Sequence, residues 1–107
     1  SFEIPPYAET VRATARGDGA VTFEGDLVEL AAADEVQVGF EYQEYGGFAA
    51  AMYNTQWKRT GLQARTEEGR FSAEVSNLEP GVEYQYRAIV QHPKITMRGD
   101  HKRVQVK

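Results

Sequence analysis

The chain has 107 residues, of which 41% are hydrophobic and 26% are charged, which is the balance of one globular domain with a single core. A net charge of −4 and scattered basic residues exclude a basic stripe for nucleic acid or an anionic membrane. No cysteine is present, which excludes a disulfide, a thiolate metal site and a cysteine nucleophile, and no apolar run approaches the length of a membrane span.

The first nine residues are predicted to be an extended lead-in or linker. Pro5 and Pro6 cannot lie inside a helix, and no alternating pattern precedes Thr10. The folded domain is therefore expected over residues 10–107.

A hairpin is predicted to open the domain. Residues 10–15 and 20–27 alternate in polarity, as strands do, and the Arg-Gly-Asp-Gly sequence between them predicts a turn. Gly25 interrupts the second strand and predicts a bulge. The inward residues of that strand are Val21, Phe23 and Leu27.

A central strand is predicted for residues 36–43, after a short connection over residues 31–35. Its alternation is strict, which is typical of a strand with one face on the core and one face in water. The inward residues are Val36, Val38, Phe40 and Tyr42, and the outward residues are Gln37, Gly39, Glu41 and Gln43.

The segment from Tyr45 to Trp57 is the candidate interaction surface, because it holds more apolar material than a hairpin turn needs. One interpretation is structural, with Phe48 and Met52 extending the sheet or capping the core. The other is an adaptable aromatic and methionine surface that meets a neighbouring domain, a subunit or a glycan. Its residues are Tyr45, Phe48, Met52, Tyr53 and Trp57.

The second half predicts further strands. Residues 57–62 are predicted to form a further strand, and residues 71–76 alternate as a strand does. Residues 66–70 are predicted to form a polar turn, residues 91–99 a connection, and residues 102–107 the last strand.

A tyrosine corner is predicted at the start of the long strand that runs to Val90. Pro80 and Gly81 form a turn between Leu78 and Tyr84, and the alternation then continues to Val90. In such a corner the tyrosine hydroxyl bonds to backbone a few residues upstream. Seven short strands with frequent turns predict an all-β, immunoglobulin-like sandwich.

With its strands placed, the chain resembles the fibronectin type III family, and most closely the repeats in secreted and surface proteins of archaeal halophiles and methanogens. The phrases that carry the resemblance lie at residues 25–27, 36–42, 78–88, 88–93 and 99–100. The tryptophan usual in the second strand is absent, and Phe23 or Val21 stands in that space. The resemblance implies a module of an extracellular or cell-surface protein.

No constellation of catalytic residues stands out. The acidic residues lie mainly in turns, no serine elbow or phosphate loop is present, and no cofactor is expected. Two histidines, His92 and His101, are too few for a zinc site without convergent partners.

Arg-Gly-Asp occurs twice, at residues 16–18 and at Arg98-Gly99-Asp100. The second tripeptide falls in the connection where some fibronectin type III modules present an integrin-binding motif, although Gly-Asp is also a common turn pair.

The expected function is therefore non-catalytic: spacing or docking of neighbouring domains or subunits. The alternatives are a carbohydrate- or protein-recognition domain centred on residues 45–57, and an accessory domain of an extracellular enzyme.

Overall fold

The computed structural model describes residues 5–30, 33–45, 56–93 and 95–107, which contain nine β-strands and no helix, so no helix of these residues could span a membrane. The strands are β1 (Tyr7–Gly17), β2 (Ala20–Glu29), β3 (Val36–Glu44), β4 (Lys58–Arg59), β5 (Gln63–Arg65), β6 (Gly69–Val75), β7 (Glu83–His92), β8 (Ile95–Arg98) and β9 (Lys102–Gln105).

The strands form two antiparallel sheets. The small sheet has the order β1-β2-β6, and the large sheet has the order β4-β3-β7-β8, with β5 also on β3 and β9 also on β7. Each edge of the large sheet is made of two short strands: β4 and β5 pair with the two halves of β3, and β8 and β9 pair with the two halves of β7. The fold is the immunoglobulin-like β-sandwich that the sequence predicts.

The core lies between the sheets and follows the predicted alternation. Phe23 of β2 lies near its centre, with its ring centroid 5.5 Å from that of Phe40 and 5.1 Å from that of Tyr86. Both Val21 and Phe23 are fully buried, and Phe23 also stacks on Tyr42 at 5.7 Å. The inward faces of β3 and β7 supply half of the remaining core cluster: Val36, Val38, Tyr84, Ala88 and Val90.

The bulge predicted at Gly25 is on the other strand of the pair. The β2–β6 register is regular through Gly25, whereas the β1–β2 register passes from Thr10 to Arg12 and leaves Val11 as the extra residue. Gly25 is needed for close packing, because a Cβ there would lie 2.7 Å from Cζ of Phe71.

Three predicted boundaries are wrong. The first strand begins at Tyr7 rather than at Thr10, because Tyr7 already pairs with Glu29 in β1. The strand expected over residues 57–62 is only the two residues of β4. The connection expected over residues 91–99 contains β8, whose residues pair with the end of β7 to make a hairpin.

Tyr84 occupies the start of β7 in the geometry of a tyrosine corner. The phenol is buried, and it shares a hydrogen bond with the backbone of Glu79 upstream. Gly81 has a positive φ of 85° and donates its N–H to the carbonyl of Val106 at 2.8 Å. The N–H of Leu78 bonds to the carbonyl of Gly19 at 3.0 Å, which ties the corner to the β1–β2 turn.

Candidate functional site

The outer face of the large sheet carries the most organised set of polar side chains among the described residues. Because Tyr42 and Tyr86 point into the core, their neighbours Glu41 and Arg87 point away from it. Glu41 and Arg87 are direct partners in the β3–β7 register, and Arg59 of β4 is the partner of Glu41 on its other side. One row across three strands therefore alternates in charge.

Glu41 is the centre of this row, and its side chain is only 7% exposed. Its Oε1 accepts hydrogen bonds from Nε of Arg87 at 2.9 Å and from Nε of Arg98 at 3.0 Å, and Nη2 of Arg87 lies at 2.8 Å. Its Oε2 accepts from Nη2 of Arg59 at 3.0 Å. We call Glu41, Arg59, Arg87 and Arg98 the Glu41 cluster. The water-exposed position expected for Glu41 is wrong, because the three guanidinium groups cover the carboxylate.

The electrostatics of Glu41 follow from these contacts. Burial alone would raise the pKa of the carboxyl group, because it removes water from the charged form. The hydrogen bonds from Arg98, Arg59 and Arg87 outweigh burial and lower the pKa of Glu41 below its ordinary value. The carboxylate is therefore ionised at neutral pH and holds the three arginines in fixed positions.

An aromatic layer lies over the cluster. The Cζ atom of Arg87 lies 3.8 Å from the ring centroid of Trp57, which is a close cation–π contact. The ring of His101 meets Trp57 edge-on at 5.5 Å, and its Nε2 lies 3.1 Å from Nη1 of Arg87. Arg87 is only 14% exposed as a result, so Trp57 and His101 fix its position from above.

The other two arginines of the cluster remain accessible to solvent. The Arg59 side chain is 38% exposed, and its Nη1 bonds to Oε1 of Gln91 at 3.3 Å. The Arg98 side chain is 43% exposed. The cluster thus has a buried, rigid base and two partly exposed guanidinium groups.

A cleft of about 310 Å³ opens beside Trp57, at the strand end where β3 leads to Tyr45. Tyr45 is 40% exposed, with the guanidinium of Arg103 4.7 Å from its ring centroid. The lining of the cleft combines two aromatic side chains with amides and charges: Gln43, Glu44, Gln56, Trp57, Lys58 and Tyr84.

The predicted interaction surface is therefore represented here by Tyr45 and Trp57. Phe48, Met52 and Tyr53 lie outside the described residues. Trp57 contacts Arg87 and His101, which the sequence did not associate with it.

The tripeptide Arg98-Gly99-Asp100 is expected from the sequence in a simple connection before the last strand, and the structure differs from that expectation. It lies at the break between β8 and β9, where Nε of Arg98 bonds to Glu41. Gly99 is buried and donates its N–H to the carbonyl of Ala88 at 2.8 Å. The tripeptide at residues 16–18 enters the β1–β2 turn, as predicted, and Asp18 there has a positive φ of 55°.

The two histidines are separated by the fold. His92 ends β7 in the hairpin with β8, whereas His101 contacts Trp57. Within residues 5–30, 33–45, 56–93 and 95–107, no three His, Asp or Glu side chains converge in a way that could hold a metal ion.

The sequence interpretation missed Arg59, Arg87 and Arg98 as partners of Glu41. One signal was available: Glu41 and Arg87 both occupy outward positions of strands that are neighbours in this class of sandwich, where opposite charges pair. The sequence contains no such signal for Arg59 and Arg98. Their positions depend on the short strands β4 and β8, which form only by pairing with β3 and β7.

The chain matches no protein-family model, and no curated protein matches it. Its fold is similar to solved structures of the sensor domain of the anti-sigma factor RsgI4 from Pseudobacteroides cellulosolvens. A short form has a TM-score of 0.71 over 96% of this chain and 95% of that chain. The solution structure has 0.70 over 95% and 75%, and a long form has 0.65 over 95% and 89%. All three are 13% identical to this chain, so the likeness concerns the fold.

Proposed function

We propose that this chain is a non-catalytic interaction module that docks a protein partner on the outer face of its large sheet. The observation that carries the proposal is the Glu41 cluster with Trp57 stacked on Arg87. A solvated sheet face does not require a buried carboxylate that holds three arginines in place, so this arrangement favours a binding role.

The residue types on this face support docking. Tryptophan, tyrosine and arginine dominate the energetics of protein interfaces, since they give large contact areas and directional hydrogen bonds. Here Trp57 and Arg87 are held rigidly, which lowers the conformational entropy lost on binding. The structural neighbours are sensor domains of an anti-sigma factor, and a sensing role is compatible with such a binding face.

We extend the proposal to family and location. The order of strands in the two sheets and the corner at Tyr84 support a fibronectin type III-like module. The sequence phrases at residues 25–27, 36–42 and 88–93 extend the proposal to repeats of the archaeal surface-protein type. An extracellular or cell-surface location follows from that assignment.

Selection of peptides from a phage-displayed library against the immobilised chain tests the proposal. We expect enriched peptides to lose at least about tenfold in affinity for Trp57→Ala, because the variant removes the aromatic layer over Arg87. Arg12→Ala is the control on the small sheet, since Arg12 is exposed and pairs with Glu24 at 3.4 Å. Equal loss in both variants, or no enrichment, contradicts the proposal.

A second candidate is recognition of a carbohydrate, which the cleft beside Trp57 favours. Aromatic rings can stack on sugar faces, and amide side chains such as those of Gln43 and Gln56 suit hydroxyl groups. A glycan array with the wild-type chain and Trp57→Ala tests it. A blank array rejects this candidate and leaves the docking proposal unaffected.

A further inference from the structure

The Glu41 cluster has an excess of positive charge. One carboxylate faces three guanidinium groups, although the chain as a whole carries a net charge of −4. Burial within the cluster is confined to Glu41 and Arg87, so the excess charge resides on the two arginines that remain partly exposed. This part of the surface therefore favours a ligand of opposite charge, against the sign of the whole molecule.

Among the described residues, Arg98 leaves more donors unused than Arg59 or Arg87, because only its Nε is bonded. Its Nε is bonded to Oε1 of Glu41, and among the residues that the structure describes no partner is present for its Nη1 or Nη2. An arginine held at Nε keeps the pair of terminal amino groups as a fork that matches a second carboxylate. The 43% exposure of the side chain makes that fork reachable.

The backbone that carries Arg98 is also fixed. Gly99 donates its N–H to the carbonyl of Ala88, and a Cβ at Gly99 would lie 2.9 Å from the carbonyl oxygen of Ala8 and 2.8 Å from Oγ1 of Thr10. Oγ1 of Thr10 in turn accepts the N–H of Ala88 at 2.9 Å. Glycine is thus required after Arg98 so that β7 and β1 can hold this end of β8. Arg98 is therefore held at its backbone and at Nε before any ligand arrives.

We infer that Arg98 binds an aspartate or glutamate side chain of the protein partner, donating Nη1–H and Nη2–H to its two carboxylate oxygens. Arg59 adds positive charge, and Trp57, stacked on Arg87, supplies apolar contact area. The inference rests on the proposed docking function and specifies the chemistry of the partner as an acidic peptide segment. A planar carboxylate suits this fork, because both donors then reach an oxygen in one plane.

NMR titration of the ¹⁵N-labelled chain with an acetylated and amidated hexaglutamate peptide tests the inference, and a hexaglutamine peptide is the neutral reference. We expect saturable shifts at Arg98, Gly99 and their neighbours on β7 with hexaglutamate only. Arg98→Gln should weaken binding at least about tenfold, which is the effect of losing one charge-assisted pair. Arg12→Gln, on the small sheet, should change it by less than about twofold.

Arg98→Lys separates the fork from its charge, because lysine keeps the charge and loses the paired donors. Binding by this variant that equals the wild type overturns the inference, as do equal losses in Arg98→Gln and Arg12→Gln or the absence of saturable shifts. The docking proposal has a separate outcome. If phage selection yields peptides that depend on Trp57 and contain no acidic residue, docking stands and the acidic partner is rejected.

Discussion

Glu41 shows how an outward strand position can become a buried charge. An isolated carboxylate removed from water is strongly destabilised, so it remains ionised only where donors replace its hydration. Arg59, Arg87 and Arg98 provide these donors from three different strands. The arginines in turn depend on Glu41, because without it three positive charges would lie together.

Replacing Glu41 with glutamine should lower the free energy of unfolding at neutral pH by about 1.5–3 kcal/mol, the range for hydrogen bonds to a charged group. Since the folded-state pKa of Glu41 is lowered, its stabilisation is present above the unfolded pKa of about 4.3 and is lost as the pH falls through the folded pKa. Urea denaturation of both proteins at pH values from about 7 down to about 3 measures the difference, which should shrink in acid.

Glu24→Gln is the control for this effect. Glu24 pairs with Arg12 at 3.4 Å on the outer face of the small sheet, where both side chains are well exposed. Exposed pairs contribute little, so this variant should change the unfolding free energy by less than about 1 kcal/mol. A similar effect of both substitutions would show that the burial of Glu41 is not decisive.

Gly25 is limited by the ring of Phe71 rather than by backbone conformation. Gly25→Ala should destabilise the chain by about 1–3 kcal/mol, because the new methyl group would overlap the buried ring. Gly61→Ala is the matched control, since nothing lies within 4 Å of a Cβ at Gly61, and its effect should stay within about 0.5 kcal/mol. Thermal or urea unfolding compares the two.

A double-mutant cycle identifies the cause. Phe71→Leu should cost stability alone, yet combined with Gly25→Ala it should cost less than the two single effects added together, because the smaller side chain relieves the overlap. Strict additivity would mean that the Phe71 ring is not the obstacle.

At the scale of elements, β6 is an edge strand of the small sheet. Side chains from the other sheet donate hydrogen bonds to its exposed backbone. Nε2 of Gln63 donates to the carbonyl of Ser72 at 2.7 Å, and Nη2 of Arg65 donates to the carbonyl of Arg70 at 3.2 Å. Both donors lie on β5. These bonds join the two sheets and occupy backbone acceptors that another strand could otherwise use.

Removing both side-chain donors with Gln63→Ala and Arg65→Ala should lower the free energy of unfolding by about 1–2 kcal/mol. The exposed backbone of β6 should then promote self-association along this strand. Sedimentation velocity over a range of concentrations detects the association. A double variant with Gln37→Ala and Arg12→Ala, which removes the same residue types from exposed positions elsewhere, should remain as monomeric as the wild type. Equal association of both variants would exclude a protective role for β5.

The elements that the sequence predicts best are those with long alternation. β2, β3 and β7 carry runs whose polarity follows the period of a strand, and their inward residues form the observed core. The predictions for β4 and β8 are wrong because two and four residues are too few to show a periodic pattern. These two strands form only by pairing with β3 and β7.

At the scale of the whole molecule, the fold follows from local sequence patterns, whereas the site follows from contacts between distant residues. The sandwich depends on local patterns that repeat along the chain. The Glu41 cluster depends on contacts between residues 18, 46 and 57 positions apart, for Arg59, Arg87 and Arg98 respectively. Alternation indicates that Glu41 and Arg87 face outward, but only the assembled sheet with its broken edge strands shows that three arginines meet one carboxylate.

The two sheets should unfold as one unit, and two buried tyrosines report on it. Tyr84 bonds to the backbone of Glu79 before β7, and Tyr86 bonds to the backbone of Ala13 in the opposite sheet. Burial raises the pKa of both phenols above the ordinary value, so the folded state retains their protons where the unfolded state, with pKa near 10, releases them. Stability therefore falls as the pH rises above about 10.

Alkaline titration followed at once by tyrosinate absorbance and by circular dichroism tests this cooperativity. Tyr84 and Tyr86 should ionise only together with the loss of β-structure. Tyr84→Phe and Tyr86→Phe should each remove one phenol from the late absorbance step, because phenylalanine has no proton to release. Ionisation of both buried phenols at about pH 10 with unchanged dichroism would show that they lose their protons without separation of the sheets.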